Sequence, residues 1–219
     1  MKKDNGLSMF LRGIYASFPI AIGYLPVAML FGVTAVGYGL GYFFSFLCSV
    51  LIFAGTSQFV LLSFLSQSIL LAIFLPIFLN LRHLVYSSIV SASLPLKKPF
   101  LAAFGLTDEV FALFLSSPRN EMFLLGLEVG AYLSWVAGTL LGILAGSFVL
   151  KIKCMMPSLT FSLTALFFLL VLLNLKKDNL LYAILGGMLS LIFHFFGLSA
   201  IGILVSGILV PLIPFKGRG

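Results

Sequence analysis

The sequence predicts an all-α polytopic membrane protein with seven or eight transmembrane helices, several of them broken near mid-membrane. Three observations lead there. Of 219 residues, 61% are hydrophobic and only 9% charged, against about 25% charged in soluble domains. The apolar residues fall in runs of roughly the 20 residues that a helix needs to cross a bilayer. The basic residues form short clusters between those runs: Lys2/Lys3, Lys97/Lys98, Lys151/Lys153, Lys176/Lys177 and Lys216/Arg218. Charge placed that way flanks membrane segments. The net charge of +7 therefore points to a lipid bilayer and not to nucleic acid.

The apolar runs are 14–42, 43–66, 68–92, 122–150, 157–175, 180–196 and 197–215. The first follows a basic N-terminus but is much longer than the apolar core of a signal peptide, about 7–15 residues. It is read as a retained membrane segment. An eighth piece, 99–117, is apolar apart from Asp108 and Glu109. With the N-terminus inside and seven crossings, five basic residues lie inside and seven outside. If 99–117 also crosses, eight lie inside and four outside, which suits the positive-inside rule better. Making 14–42 and 99–117 re-entrant gives ten and two, so the count stays open. The eight-crossing arrangement suggests one membrane domain, 1–219, with candidate inverted repeats at 13–92 and 99–175 and a terminal helix pair at 180–215.

Several runs are interrupted by helix breakers. Run one has Pro19 and then Gly23, Tyr24, Leu25 and Pro26; run two has Gly55, Thr56, Ser57 and Gln58; run three has Pro76 ahead of Asn80. In 99–117, Gly105 and Leu106 precede Thr107, a good cap for a helix starting with Asp108 and Glu109. Broken helices at membrane depth are tolerated only where protein buries them or they line a watery cavity. Their free ends suit charged solutes.

Run three raises the sharpest question. Asn80, Arg82, His83 and Tyr86 lie inside SILLAIFLPIFLNLRHLVYSSIVSA. An arginine at mid-membrane costs about 2.5–3.5 kcal/mol on insertion scales. Its candidate partners are Asp108, Glu109 or a substrate carboxylate. Asn80, His83, Ser87 and Ser91 share one stripe, and Arg82, Tyr86 and Ser93 another. One face can meet a cavity and the other a partner helix. In run two, Ser49, Thr56 and Ser63 are seven apart and share a face, so that helix has a polar stripe too.

Run four has another character. Gly126, Gly130, Ser134, Gly138, Gly142 and Gly146 recur every fourth residue. Such a ridge lets a neighbouring helix approach the backbone. Glu128 lies off the ridge, either as an interfacial carboxylate or as part of a polar path.

Enzyme signals are weak. Gly55-Thr56-Ser57 and Gly197-Leu198-Ser199 are G-x-S sequences without the G-x-S-x-G elbow. His83 and His194 are read first as packing residues. Cys48 and Cys154 have neither zinc-site nor disulfide-framework spacing. No metal, cofactor or catalytic residue is expected.

The motifs PIAIGYLPVAMLFGV at 19–33, FAGTSQF at 53–59, NLRHLVY at 80–86 and LTDEVFAL at 106–113 occur in order. Together they resemble the AzlC/YgaZ family, the large permease subunits of branched-chain amino acid exporters. The resemblance covers most of 13–150 and thins towards the C-terminus. There, Thr160 stands where the family often has an acidic residue. The resemblance implies a secondary exporter of leucine, isoleucine and valine, with methionine as a further candidate. It also implies a partner, a small four-helix AzlD-like membrane subunit. The residues themselves are compatible with alternating access around a site built from Gly23, Tyr24, Pro26, Gly55, Thr56, Ser57, Gln58, Asn80, Arg82, His83, Tyr86, Asp108 and Glu109. A channel or facilitator for another small polar solute is the alternative.

Overall fold

A computed structural model describes residues 6–97, 99–149 and 179–213, with scattered positions from 151 to 175. All regular structure among them is helical. The chain divides into two compact units, 1–166 and 167–219.

In the first unit, α1 (Gly6–Ala16) and α2 (Phe18–Gly37) follow one another with a junction at Ser17. α3 (Tyr42–Leu51) and α4 (Gly55–Leu65) come next. Then come α5 (Ile69–Asn80) and α6 (Arg82–Ser93), separated by Leu81. Two short helices follow, α7 (Pro99–Gly105) and α8 (Asp108–Leu115). The long α9 (Glu121–Val149) comes next. Among the described residues, three segments are long and apolar enough to cross a bilayer: Phe18–Gly37, Ile69–Ser93 and Glu121–Gly146. Tyr42–Leu51 and Gly55–Leu65 are shorter apolar helices. The second unit holds a helical hairpin, α10 (Leu180–Phe195) and α11 (Ser199–Leu212). Its turn passes through Gly197 at φ +73°, a conformation open to glycine. Thr160 and most of 157–175 lie outside the described residues.

The glycine ridge of α9 explains how the first unit packs. A Cβ added at Gly126 would strike the Phe10 carbonyl, one at Gly130 the Ser17 hydroxyl, and one at Gly142 the Met29 carbonyl. Gly13 and Gly32 stand equally close to the α9 backbone at Phe123 and Thr139. α1 and α2 therefore lie along α9 with glycines on both sides of the seam, where close backbone approach maximises dispersion contacts. The ridge fades at Gly146, around which a Cβ would meet open space.

The breaks differ from the sequence expectation. In run three, α5 continues through Pro76 and the interruption falls at Leu81. In run one, Gly23–Pro26 is not a break: α2 runs through it with Pro26 inside. The interruption is at Ser17, because Pro19 sits in the first turn of α2, where a missing N–H breaks no helical bond. In run two the break is Ile52–Ala54, and Gly55–Gln58 form the first turn of α4. That break places Ser49 and Ser63 on separate helices, so the expected continuous stripe does not form.

Candidate functional site

The site begins at the α7–α8 break. Thr107 caps α8 by accepting from the Val110 N–H at 3.4 Å, which puts Asp108 and Glu109 in the first helical turn. The partial positive charge of a helix start favours both acids there. Two aromatic hydroxyls from other helices converge on them. Tyr24 of α2 donates to Glu109 Oε2 at 2.5 Å, and its oxygen lies 2.8 Å from Thr107 Oγ1. A phenol has one proton, so Thr107 is the donor in the second contact. Tyr86 of α6 donates to Asp108 Oδ1 at 2.7 Å, and Arg82 Nη1 meets Asp108 Oδ2 at 2.8 Å.

This grouping answers the question set by Arg82. Its charge is paired, but its Nε is buried without a hydrogen-bond partner, as is His83 Nε2 beside it. Unpartnered buried donors are costly and uncommon. The His83 ring stacks on Tyr86 at 6.0 Å, and Tyr86 stacks on Phe111 at 4.4 Å. These rings fix the position of the Tyr86 hydroxyl against α8.

A second polar group surrounds the α3–α4 break. Ser57 Oγ donates to Asn80 Oδ1 at 2.6 Å, tying α4 to the end of α5. Gln58 Nε2 donates to Ile52 O at 2.8 Å and lies 3.1 Å from both Cys48 O and Ser49 Oγ. Tyr132 of α9 donates to Val50 O at 3.0 Å. Side chains thus satisfy the carbonyls that the break frees, as a low-dielectric setting demands. Gln58 Oε1 accepts from Trp135 Nε1 at 3.0 Å, and Ser49 and Thr139 pair at 2.7 Å. Gly55 is required here, since a Cβ would lie 2.6 Å from the Trp135 ring.

Trp135 links the two groups. Its ring meets that of Tyr24 edge-on at 5.1 Å. Of the residues expected from sequence, Tyr24, Arg82, Tyr86, Asp108 and Glu109 come together in the first group, with His83 alongside. Ser57, Gln58 and Asn80 belong to the second, with Gly55 beneath Trp135. Thr56 enters neither group. Gly23 and Pro26 flank Tyr24 on a continuous helix and contribute no polar side chain. Sequence reasoning missed Trp135 and Thr139. A usable signal existed for the first: the chain has one tryptophan, and a buried indole N–H needs an acceptor.

Both groups lie within residues 19–149, which match the family model of the AzlC protein. The chain belongs to the AzlC family. Residues 154–218 match a second model, the MJ1155 family. A membrane protein of Archaeoglobus fulgidus is 50% identical over 94% of each chain. The inner membrane protein YgaZ of Escherichia coli is 32% identical over 98% of this chain and 94% of its own. The branched-chain amino acid transport protein AzlC of Bacillus subtilis is 29% identical over 85% of this chain and 76% of its own. No solved structure matches the chain. Like these AzlC relatives, the protein is a multi-pass membrane protein.

Proposed function

We propose that the protein is a secondary transporter exporting leucine, isoleucine and valine, with methionine as a further candidate, across the plasma membrane. The observation that carries this reading is the paired acidic turn at Asp108–Glu109 facing Arg82 and His83, both of which keep an unfilled buried nitrogen. A zwitterion needs a cationic contact for its carboxylate and an anionic one for its ammonium. Arg82 and His83 serve the first, and Glu109 with Asp108 the second. The phenylalanine and leucine side chains around the breaks suit an apolar substrate side chain. The Bacillus subtilis relative, named a branched-chain amino acid transport protein, supports the substrate class.

The mechanism proposed is alternating access, coupled to an ion gradient and assisted by a small four-helix AzlD-like subunit. α5 turns Ile73, Phe74, Ile77 and Phe78 outward, an apolar face for lipid or for that subunit. Seven or eight crossings in a single membrane domain, with inverted repeats at 13–92 and 99–175 and a terminal pair at 180–215, complete the proposal. The α3–α4 and α7–α8 breaks support it as places where half-helices can shift.

Efflux of labelled leucine from preloaded vesicles, with and without the small subunit, tests the reading. Saturable efflux and counter-exchange are expected. Rapid unsaturable flux without counter-exchange would point to a channel, and no flux of any branched-chain amino acid would overturn the proposal.

A further inference from the structure

A cavity opens beside the end of α7, lined by Phe104 and Gly105. It measures about 590 Å³, within the range of small-molecule sites. Phe10, Phe104 and Val129 contribute to its largely apolar wall, and Lys97 and Glu121 also line it, the Lys97 N–H donating to Glu121 Oε1 at 2.6 Å. Glu128 also lines it, two turns into α9, so its Cα lies about 10 Å along the helix from Glu121 at 1.5 Å per residue.

Glu128 is only 4% exposed, and its Oε1 has no hydrogen-bond partner. The fold makes room for it: a Cβ at Gly105 would come within 2.6 Å of the Glu128 Cβ and Cγ. A glycine at the end of α7 therefore holds open the space in which this carboxyl group lies. A buried carboxyl oxygen without a donor is expensive unless something supplies one. Lipid tails cannot. An ammonium group can, and the remaining wall suits an aliphatic chain.

We propose that this cavity is a second binding site for an apolar amino acid, with Glu128 as the acceptor of its ammonium group. It is separate from the Arg82–Asp108 cluster but shares the α7–α8 break with it, through Gly105 on one side and Thr107 on the other. The choice of an amino acid as ligand rests on the export reading; the buried, unpartnered carboxyl beside an apolar cavity does not. The site serves as a waiting position, from which movement at the break passes the solute to the cluster.

The test is calorimetric titration of the purified full-length protein in lipid nanodiscs. The probes are leucine, 3-methylbutylamine, which lacks the carboxylate, and 4-methylpentanoate, which lacks the amine. Leucine and the amine should bind saturably and the acid should not. Glu128→Gln, which keeps the side-chain volume, should weaken amine binding at least about tenfold, the scale of a charge-assisted hydrogen bond. Val129→Trp should obstruct the cavity and weaken both ligands, which decides the matter if Glu128→Gln does not fold. Amine binding unchanged in either folded variant overturns the site, as does wild-type protein binding no amine at about 10 mM, the weak end of specific affinity. Leucine export without amine binding removes this site and leaves the export reading standing. Leucine and amine binding that depends on Glu128, without export, does the reverse.

Discussion

The guanidinium of Arg82 lies 2.8 Å from the carboxylate of Asp108, joining the first turn of α6 to the first turn of α8. One turn along α6, Tyr86 donates to the other oxygen of the same carboxylate at 2.7 Å. Arg82 neutralises Asp108; the proposed export reading gives it a second, separable role as donor to a solute carboxylate.

A double-mutant cycle separates these roles. Arg82→Gln and Asp108→Asn should each destabilise the protein by about 1–3 kcal/mol. That is less than for a fully enclosed pair, because both side chains keep some exposure. The double variant should cost less than the sum of the two, with a coupling of about 1 kcal/mol, since no unpaired charge remains. Thermal unfolding in lipid nanodiscs measures this. Leucine export should stay lost in the folded double variant, because the donors for the substrate carboxylate are gone. Export restored along with stability would make Arg82 a pin between helices and nothing more.

Tyr24 joins the acidic turn to the aromatic core. Tyr24→Phe removes the donor to Glu109 but keeps the edge contacts with Trp135 at 5.1 Å and Phe53 at 6.1 Å. Hydrogen bonds to charged groups contribute about 1.5–3 kcal/mol, so export should fall by about tenfold or more. Packing should hold the fold, and the variant should elute as wild type in size-exclusion chromatography. Wild-type export by Tyr24→Phe would remove Glu109 from the substrate path.

Much of the polar cluster was legible because charge is conspicuous in an apolar chain. Arg82 had few candidate partners, and Asp108 was one of them. The α8 start was legible too, since Thr107 followed by two acids is a local capping pattern. Other features depended on contacts made in three dimensions. Pro19 and Pro26 carry the same chemical restriction, yet only the site near Pro19 interrupts the helix, because α9 packs along α2 on both sides of Pro26. Trp135 looks like any bulky apolar residue until Gln58 lies against its N–H. Glu128 stood open between two readings, and only the space beneath Gly105 makes its carboxyl informative.

The α9 ridge yields a prediction free of any functional assumption. Gly142 and Gly146 are neighbours on the same stripe and look equivalent in sequence. A Cβ at Gly142 would strike the Met29 backbone, whereas one at Gly146 would meet nothing within 4 Å. In an unobstructed helix, replacing glycine by alanine gains roughly 0.5–1 kcal/mol through reduced chain entropy. At Gly142 the same change must push α2 and α9 apart, an overpacking that costs about 1–3 kcal/mol. Gly142→Ala should therefore lower the unfolding temperature, while Gly146→Ala should leave it unchanged or raise it. Thermal unfolding of both variants under one lipid condition makes the comparison. Equal effects would mean that the α2–α9 seam extends a turn further than its contacts indicate, or that it does not limit stability. The opposite signs expected here follow from one carbonyl oxygen, that of Met29, lying against one glycine and not the next.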